Sequence, residues 1–244
     1  MDKLDPTNKP NIDTSAAWED YWNKTKNLST PILWEAEPEK AAALDLSIFQ
    51  EFMDSHLPLI DFACGNGKQT QFLAQHFPRV IGVDVSLSAL AIAKEQYNAA
   101  NIEYHFLDAL SLDQADSLHN QIGDASIYMR TGLHHIPNEK RSHFVKSLKT
   151  LLGQTGTLYL IELSKASINF YNKFFEENKQ IPYEFAIVME HGLRPGTIDI
   201  EDIYELFPEF ELLKSGDTEF TTTIRGQNGD FVKIPVFYAV IRRK

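Results

Sequence analysis

Three aspartates close three successive apolar runs: Asp61 in Leu59-Ile60-Asp61-Phe62, Asp84 in Ile81-Gly82-Val83-Asp84-Val85, and Asp108 in His105-Phe106-Leu107-Asp108-Ala109. A carboxylate at the inner end of an apolar run is costly to bury unless donors reach it. Behind Asp61 comes Ala63-Cys64-Gly65-Asn66-Gly67-Lys68. The small residues Ala63, Gly65 and Gly67 let a ligand come close to the backbone, and glycine accepts the dihedrals of a tight turn. Asp84 follows Asp61 by 23 residues, and an acid there can accept from both hydroxyls of a ribose. Strand, small-residue turn and helix together form the setting that a nucleotide-type ligand needs. The plainer alternative is that each aspartate caps the helix behind it.

To act together, these acids must reach one rim. Short apolar runs at 57–63, 80–85, 102–107, 125–129 and 158–163 read as strands. Helical patterns lie between them near 67–77, 87–99, 111–121 and 138–152. Strands alternating with helices of this length are parallel neighbours joined by right-handed crossovers. After Leu163 the rhythm changes to helices at 167–178 and 199–206, then to aromatic- and Thr-rich runs at 210–224 and 231–242. Gly226-Gln227-Asn228-Gly229 separates the last two as a hairpin turn. The expected fold class is α/β: a Rossmann-like, doubly wound, seven-stranded sheet, mostly parallel, with an antiparallel C-terminal strand. Ahead of it, 36–55 reads as a helix with Ala42, Leu46, Phe49 and Met53 at helical spacing. Residues 1–16 read as a flexible polar leader, 17–56 as a helical aromatic segment and 57–244 as the main domain.

The chain has 244 residues, 43% of them hydrophobic, and a formal net charge of -11. That composition supports a sizeable core in one domain. The acidic balance offers no basic stripe for a nucleic acid, so none is expected as a partner. Cys64, the single cysteine, leaves no internal disulfide and points to a reducing, cytoplasmic setting. Neither a signal-peptide core nor an apolar run of membrane-spanning length is visible. No metal site is expected: no third ligand accompanies His134-His135 at helical spacing. The oligomeric state is not legible.

Residues 57–163 resemble the core of a class I S-adenosylmethionine-dependent methyltransferase. Asp61 through Gly67 is similar to that family's Asp-x-Gly-x-Gly-x-Gly cofactor loop, with Ala63 in place of the first glycine. Alanine there is expected to need only a negative φ. By the same resemblance Asp84 and its neighbour Val85 lie at the ribose, and Asp108-Ala109 at the adenine amine. The C-terminal hairpin fits the family's antiparallel ending. A nicotinamide-dependent oxidoreductase is the nearest competitor, but it wants a third glycine where Thr70 stands, and a second mononucleotide-binding half.

The resemblance makes S-adenosylmethionine the expected cofactor and a small-molecule methyl acceptor the expected partner. Methyl transfer mainly needs proximity, alignment and sometimes a base. Candidates lie at the ends of the fourth and fifth strands. Leu133-His134-His135-Ile136 resembles a stretch in many small-molecule methyltransferases, and His135 or His134 could serve as a base near neutral pH. Packing beneath the following helix is the alternative. Arg130 could pair with a carboxylate of the cofactor or acceptor, or with Asp61 or Glu162. Glu162 could hold an acceptor or partner Arg130. Trp18-Glu19-Asp20-Tyr21-Trp22 and Pro31-Ile32-Leu33-Trp34 resemble the lid of the thiopurine-methylating type, which would bring Tyr21 and Trp34 to the cofactor. The loop Met189–Gly196 is a candidate acceptor wall. Phe170, Tyr171, Phe174, Phe175, Tyr183 and Phe185 could line an apolar pocket, although Phe170 and Phe174 also read as core. A protein or RNA acceptor and a non-catalytic cofactor binder are the alternative functions.

Overall fold

Seven strands form one sheet in the computed structural model, which describes residues 4–5, 12–25 and 32–244. They are β1 (Leu59–Phe62), β2 (Val80–Asp84), β3 (Ile102–Phe106), β4 (Ser126–Arg130), β5 (Thr157–Leu163), β6 (Phe210–Arg225) and β7 (Phe231–Arg243). Their order is β3-β2-β1-β4-β5-β7-β6. The first five pair in parallel. β7 inserts antiparallel between β5 and β6, and β6 pairs antiparallel with β7. The expected α/β sheet with its antiparallel ending is the observed one. Strand order reverses between β1 and β4, and an open sheet leaves a crevice at such a switch, outside the carboxyl ends of its strands.

Alternation along the strands builds two main cores, beside a small third cluster of Cys64, Leu90, Ala93, Ile102 and Tyr104. Tyr159, Ile161 and Leu163 of β5 enter one layer, while Leu158 and Leu160 enter the other. The first layer is covered by α1 (Thr14–Thr25), α2 (Ala42–Phe49), α3 (Lys68–Leu73), α7 (Lys165–Asn178) and α8 (Tyr183–Glu190), with Ala89 of α4 (Leu87–Gln96). The second is covered by α5 (Leu112–Ile122), α6 (Asn138–Leu152) and α9 (Ile200–Leu206). Strand residues with a period of two thus meet a helix layer on each face.

Three elements differ from the sequence reading. The helix expected over 36–55 is broken: Pro38 opens a 3-10 turn, Ala41 leaves helical dihedrals, and α2 starts afresh at Ala42 before tightening into a second 3-10 turn at Gln50–Phe52. The helix expected over 67–77 ends at Leu73 and continues as turns to Phe77. α8 was not expected, although Pro182 just ahead of it and Phe185, Val188 and Met189 at helical spacing signal it. Pro6, Asn8, Pro10 and Asn11 of the expected leader, and Pro31 before Trp34, lie outside the described residues. Leu4 is buried, and its backbone N–H and C=O both bond to the Asn172 amide.

α2 is tied to the sheet by a buried polar knot. Asp45 accepts from the hydroxyls of Tyr128 at 2.7 Å and Tyr159 at 3.0 Å, and its Oδ2 pairs with Arg130 Nε at 3.3 Å. Burial raises the Asp45 carboxyl's pKa, and the nearby Arg130 charge opposes that rise. Removing one partner of a buried ion pair leaves the other uncompensated and costs about 3–5 kcal/mol. Asp45→Ala is therefore expected to lower unfolding stability by about that amount, measured from the urea midpoint at constant m-value.

Candidate active site

The turn after β1 is built on left-handed backbone. Ala63 has φ 61°, Gly65 55° and Gly67 83°. The negative φ expected of Ala63 is corrected: its Cβ is carried in a conformation that costs an L-residue about 1–2 kcal/mol. The turn is held by its neighbours. Cys64 N donates to Val83 O at 3.0 Å, and Gly65 N donates to Asp84 Oδ2 at 2.8 Å. Asn66 Nδ2 donates to Glu35 Oε1 at 2.5 Å. Gly65 and Gly67 serve different ends. A Cβ at Gly65 would lie 2.9 Å from the Trp22 ring, while one at Gly67 would lie 2.5 Å from the Tyr104 hydroxyl and 2.8 Å from Ala93 Cβ. Gly67 therefore permits packing of the turn on α4 and β3 and does not line the cleft.

A cleft open to solvent lies above this turn. Asp61, Ala63, Gly65, Asn66, Asp84, Val85, Asp108, Ala109, Arg130, Trp34 and His135 all border it. Asp61 is buried and accepts from Thr70 Oγ1 at 2.6 Å; burial raises its pKa to about 7. Asp84 accepts from Gly65 N and Ser86 N, both at 2.8 Å, and burial lifts it to about 6. Asp108 is half-buried and accepts from Leu110 N at 2.9 Å. Arg130 is held by Asp45, not by Asp61 or Glu162, and its guanidinium lies 3.7 Å from the centre of the Phe220 ring.

At the ends of β4 and β5 a second strained turn faces the first. Thr131 has φ 65°, which is a genuine outlier for a β-branched residue. Glu162 reaches under this turn. Its carboxylate accepts from the backbone N–H of Gly132, Leu133 and His134 at 3.0, 2.8 and 3.1 Å, and meets His134 Nδ1 at 2.6 Å. Burial raises Glu162 to about 7, against the pull of those N–H groups. Glu162 is fully buried and His134 nearly so, so neither stands at the large cleft as expected. His135, one residue further, does. Its ring lies 4.1 Å from that of His134 and 4.9 Å from Trp18, edge to face.

Above the cleft, Trp18, Trp22 and Trp34 surround Tyr21, whose own ring is fully buried among them and His191. Tyr21 thus supports the aromatic cluster without reaching the cleft. α1 is fastened across the turn by Glu19, which accepts from Ser86 Oγ, Ser88 N and Ser88 Oγ at 2.7, 3.1 and 2.7 Å. Ser15 Oγ approaches Asp108 Oδ2 at 3.4 Å. Sequence reasoning missed Asp45, Glu19, Glu35 and Thr131. Glu19 and Glu35 carried a signal, sitting beside the aromatics already singled out.

A second, smaller cavity adjoins the first and shares Trp34, Thr131 and His135 with it. Tyr171 and Phe185 line it, as do Leu193 and Pro195 of the expected wall loop. Tyr183 points to solvent, and Phe170 and Phe174 pack on the core.

Residues 59–156 match the family model described as a methyltransferase domain. The chain is 51% identical to a crystal structure described as a SAM-dependent methyltransferase from Anabaena variabilis, each covering 100% of the other, with a TM-score of 0.97. A structure concerned with the conversion of a disulfide bond into a thioacetal group in echinomycin biosynthesis shares the fold. It has a TM-score of 0.72 at 12% identity, over 95% of this chain and 93% of that one. An uncharacterized methyltransferase of Schizosaccharomyces pombe is 27% identical over 48% of this chain, a match that spans only 42% of that protein. The chain belongs to the class I S-adenosylmethionine-dependent methyltransferases, and S-adenosylmethionine is its cofactor. Among the described residues no helix is long and apolar enough to cross a membrane.

The strain at Ala63 has a measurable consequence. Glycine there loses the left-handed penalty but adds freedom to the unfolded chain. Ala63→Gly is expected to stabilise the protein by about 0.5–1 kcal/mol net, seen as a higher midpoint in urea.

Proposed function

We propose that the chain methylates an oxygen, nitrogen or sulfur of a small-molecule acceptor. The observation that carries this reading is the junction of the two cavities: Trp34, Thr131 and His135 border both. A donor in the larger cleft and an acceptor in the smaller would face each other there, which is the alignment that methyl transfer requires.

The donor set suits the cofactor. Asp61 and Asp84 are buried carboxylates beside the cleft, raised by burial to about 7 and about 6, and the cation nearest them, Arg130, is taken by Asp45. A ligand carrying an ammonium group and a ribose diol gives Asp61 a counter-charge and Asp84 two donors. Ala63, Gly65 and Asn66 would contact it through the turn, with Val85 at the ribose and Asp108-Ala109 at the base. Trp18, Trp22 and Trp34 would cover it, and an aromatic face attracts a cation. When bound, the cofactor supplies an electrophilic methyl group whose departure leaves a neutral thioether. His135 takes the proton that the acceptor loses and passes it to solvent. Glu162 and His134 act one step back, by holding the turn that carries His135.

Calorimetry tests the cofactor site. S-adenosylhomocysteine is expected to bind wild-type protein and to lose at least about tenfold in affinity in Asp84→Ala. Absence of binding to the wild type would overturn the reading. The ligand's ammonium favours ionised Asp61, so its bound-state pKa lies below the free value of about 7 and binding releases a proton. Affinity should be flat above that pH and weaken as pH falls through 7 towards 6, by up to about tenfold per unit. With any acceptor that supports turnover, His135→Gln should lower kcat by about 10²–10⁴-fold while leaving S-adenosylhomocysteine affinity unchanged. An undiminished kcat would remove His135 as the base.

A further inference from the structure

The smaller cavity differs in chemistry from the cleft that it joins. Its walls are alkyl carbon from Leu33, Leu163, Val188 and Leu193 and the rings of Phe185 and Phe220. Among the described residues, no Asp, Glu, Lys or Arg lines it. Its polar side-chain atoms are few: those of Trp34, Thr131, His134 and His135, three of which stand at the border with the cleft, and the Tyr171 hydroxyl. The Tyr171 phenol is held neutral by burial, which pushes its pKa up, and His134 Nδ1 is engaged with Glu162.

The fold keeps charge out of this chamber by design of one loop. Leu193 and Pro195 are buried and face it, while Arg194 between them is exposed. The loop is clamped in that register. Gly196 N donates to His134 O at 2.9 Å, Ile198 N donates to Leu163 O at 2.8 Å, and Arg141 Nη2 donates to Thr197 O at 3.0 Å. The apolar wall is therefore preformed, as small-molecule sites usually are.

From this geometry we infer that the chamber is the acceptor site and takes the uncharged, apolar body of its acceptor, with the nucleophilic atom at the Trp34–Thr131–His135 mouth. The inference rests on the methyltransferase reading and deepens it by naming the acceptor class. A carboxylate, phosphate or ammonium on the acceptor's body would be stripped of water among alkyl and aryl groups with no counter-charge. One hydroxyl or thiol at the mouth would not, because it lies beside the polar atoms there.

The test is calorimetric titration of 2-naphthol into the protein saturated with S-adenosylhomocysteine, compared with 6-hydroxy-2-naphthoate, the same body with a carboxylate added. The naphthol is expected to bind, and the carboxylate to bind at least about thirtyfold more weakly. Leu193→Trp and, as an independent probe, Val188→Phe should each weaken 2-naphthol at least about tenfold by filling the chamber. Titration of S-adenosylhomocysteine into each variant reports whether the protein is still folded. Failure of the wild type to bind S-adenosylhomocysteine would defeat the methyltransferase reading itself. If S-adenosylhomocysteine binds but 2-naphthol does not, the acceptor assignment falls alone. Equal binding of the charged and neutral probes, or indifference of both variants in the folded state, would overturn it equally.

Discussion

Parallel strands release backbone N–H groups at their carboxyl ends, and where the chain turns there those groups need acceptors. In this protein buried carboxylates answer that need on both sides of the switch point. Asp84, from β2, receives Gly65 N of the turn after β1. Glu162, from β5, receives three consecutive N–H groups of the turn after β4. Each acid belongs to the strand next to the one whose turn it holds, so sheet register sets the shape of the turn. The cleft lies between these two turns, and its outline follows from two hydrogen-bonded clamps.

The clamps hold strain in place. Ala63 and Thr131, just past the ends of the neighbouring strands β1 and β4, both sit at positive φ. A Cβ on Gly132 would come within 3.8 Å of Ala63 Cβ, so the two turns face each other closely. Strained residues of this kind persist only where the surroundings over-determine them. Here the surroundings include the N-terminal segment. Glu19 is hydrogen-bonded to Ser86 and Ser88, Trp22 packs on Gly65, and Glu35 bonds to Asn66. The aromatic helix is thus part of the turn's support as well as its cover.

Much of this was legible in the chain. Short apolar runs located the five parallel strands, and their connections allowed few topologies. The aspartates at strand ends located the rim, because an acid at the inner end of a buried strand has few other uses. What escaped depends on distance or on dihedrals. Arg130 pairs with Asp45, which no local pattern links to it and which sits on a helix that the apolar spacing had drawn too long. The sign of φ at Ala63 is invisible in an alanine; a glycine would have announced it. Glu162 and Tyr21 were placed at the cleft by their sequence neighbourhoods, yet a single step along a strand or helix decides whether a side chain faces ligand or core. His135 and His134 show the same sensitivity, being adjacent and differently placed.

The two cavities divide the electrostatic labour. Asp61 and Asp84 are buried beside the larger one, and burial lifts both pKa values above the usual 3.8. The sign of the consequence is fixed. An acid whose pKa is higher folded than unfolded binds more protons in the folded state, so folding stability falls as pH rises between the two values. Near neutrality the ionised forms of Asp61 and Asp84 are therefore destabilising, and a cationic ligand favours them. Among the described residues the smaller cavity is lined by no Asp, Glu, Lys or Arg. A positively charged methyl donor finds counter-charge beside the first and none among the walls of the second. Trp34, Thr131 and His135 border both cavities and so stand where the acidic environment meets the apolar one.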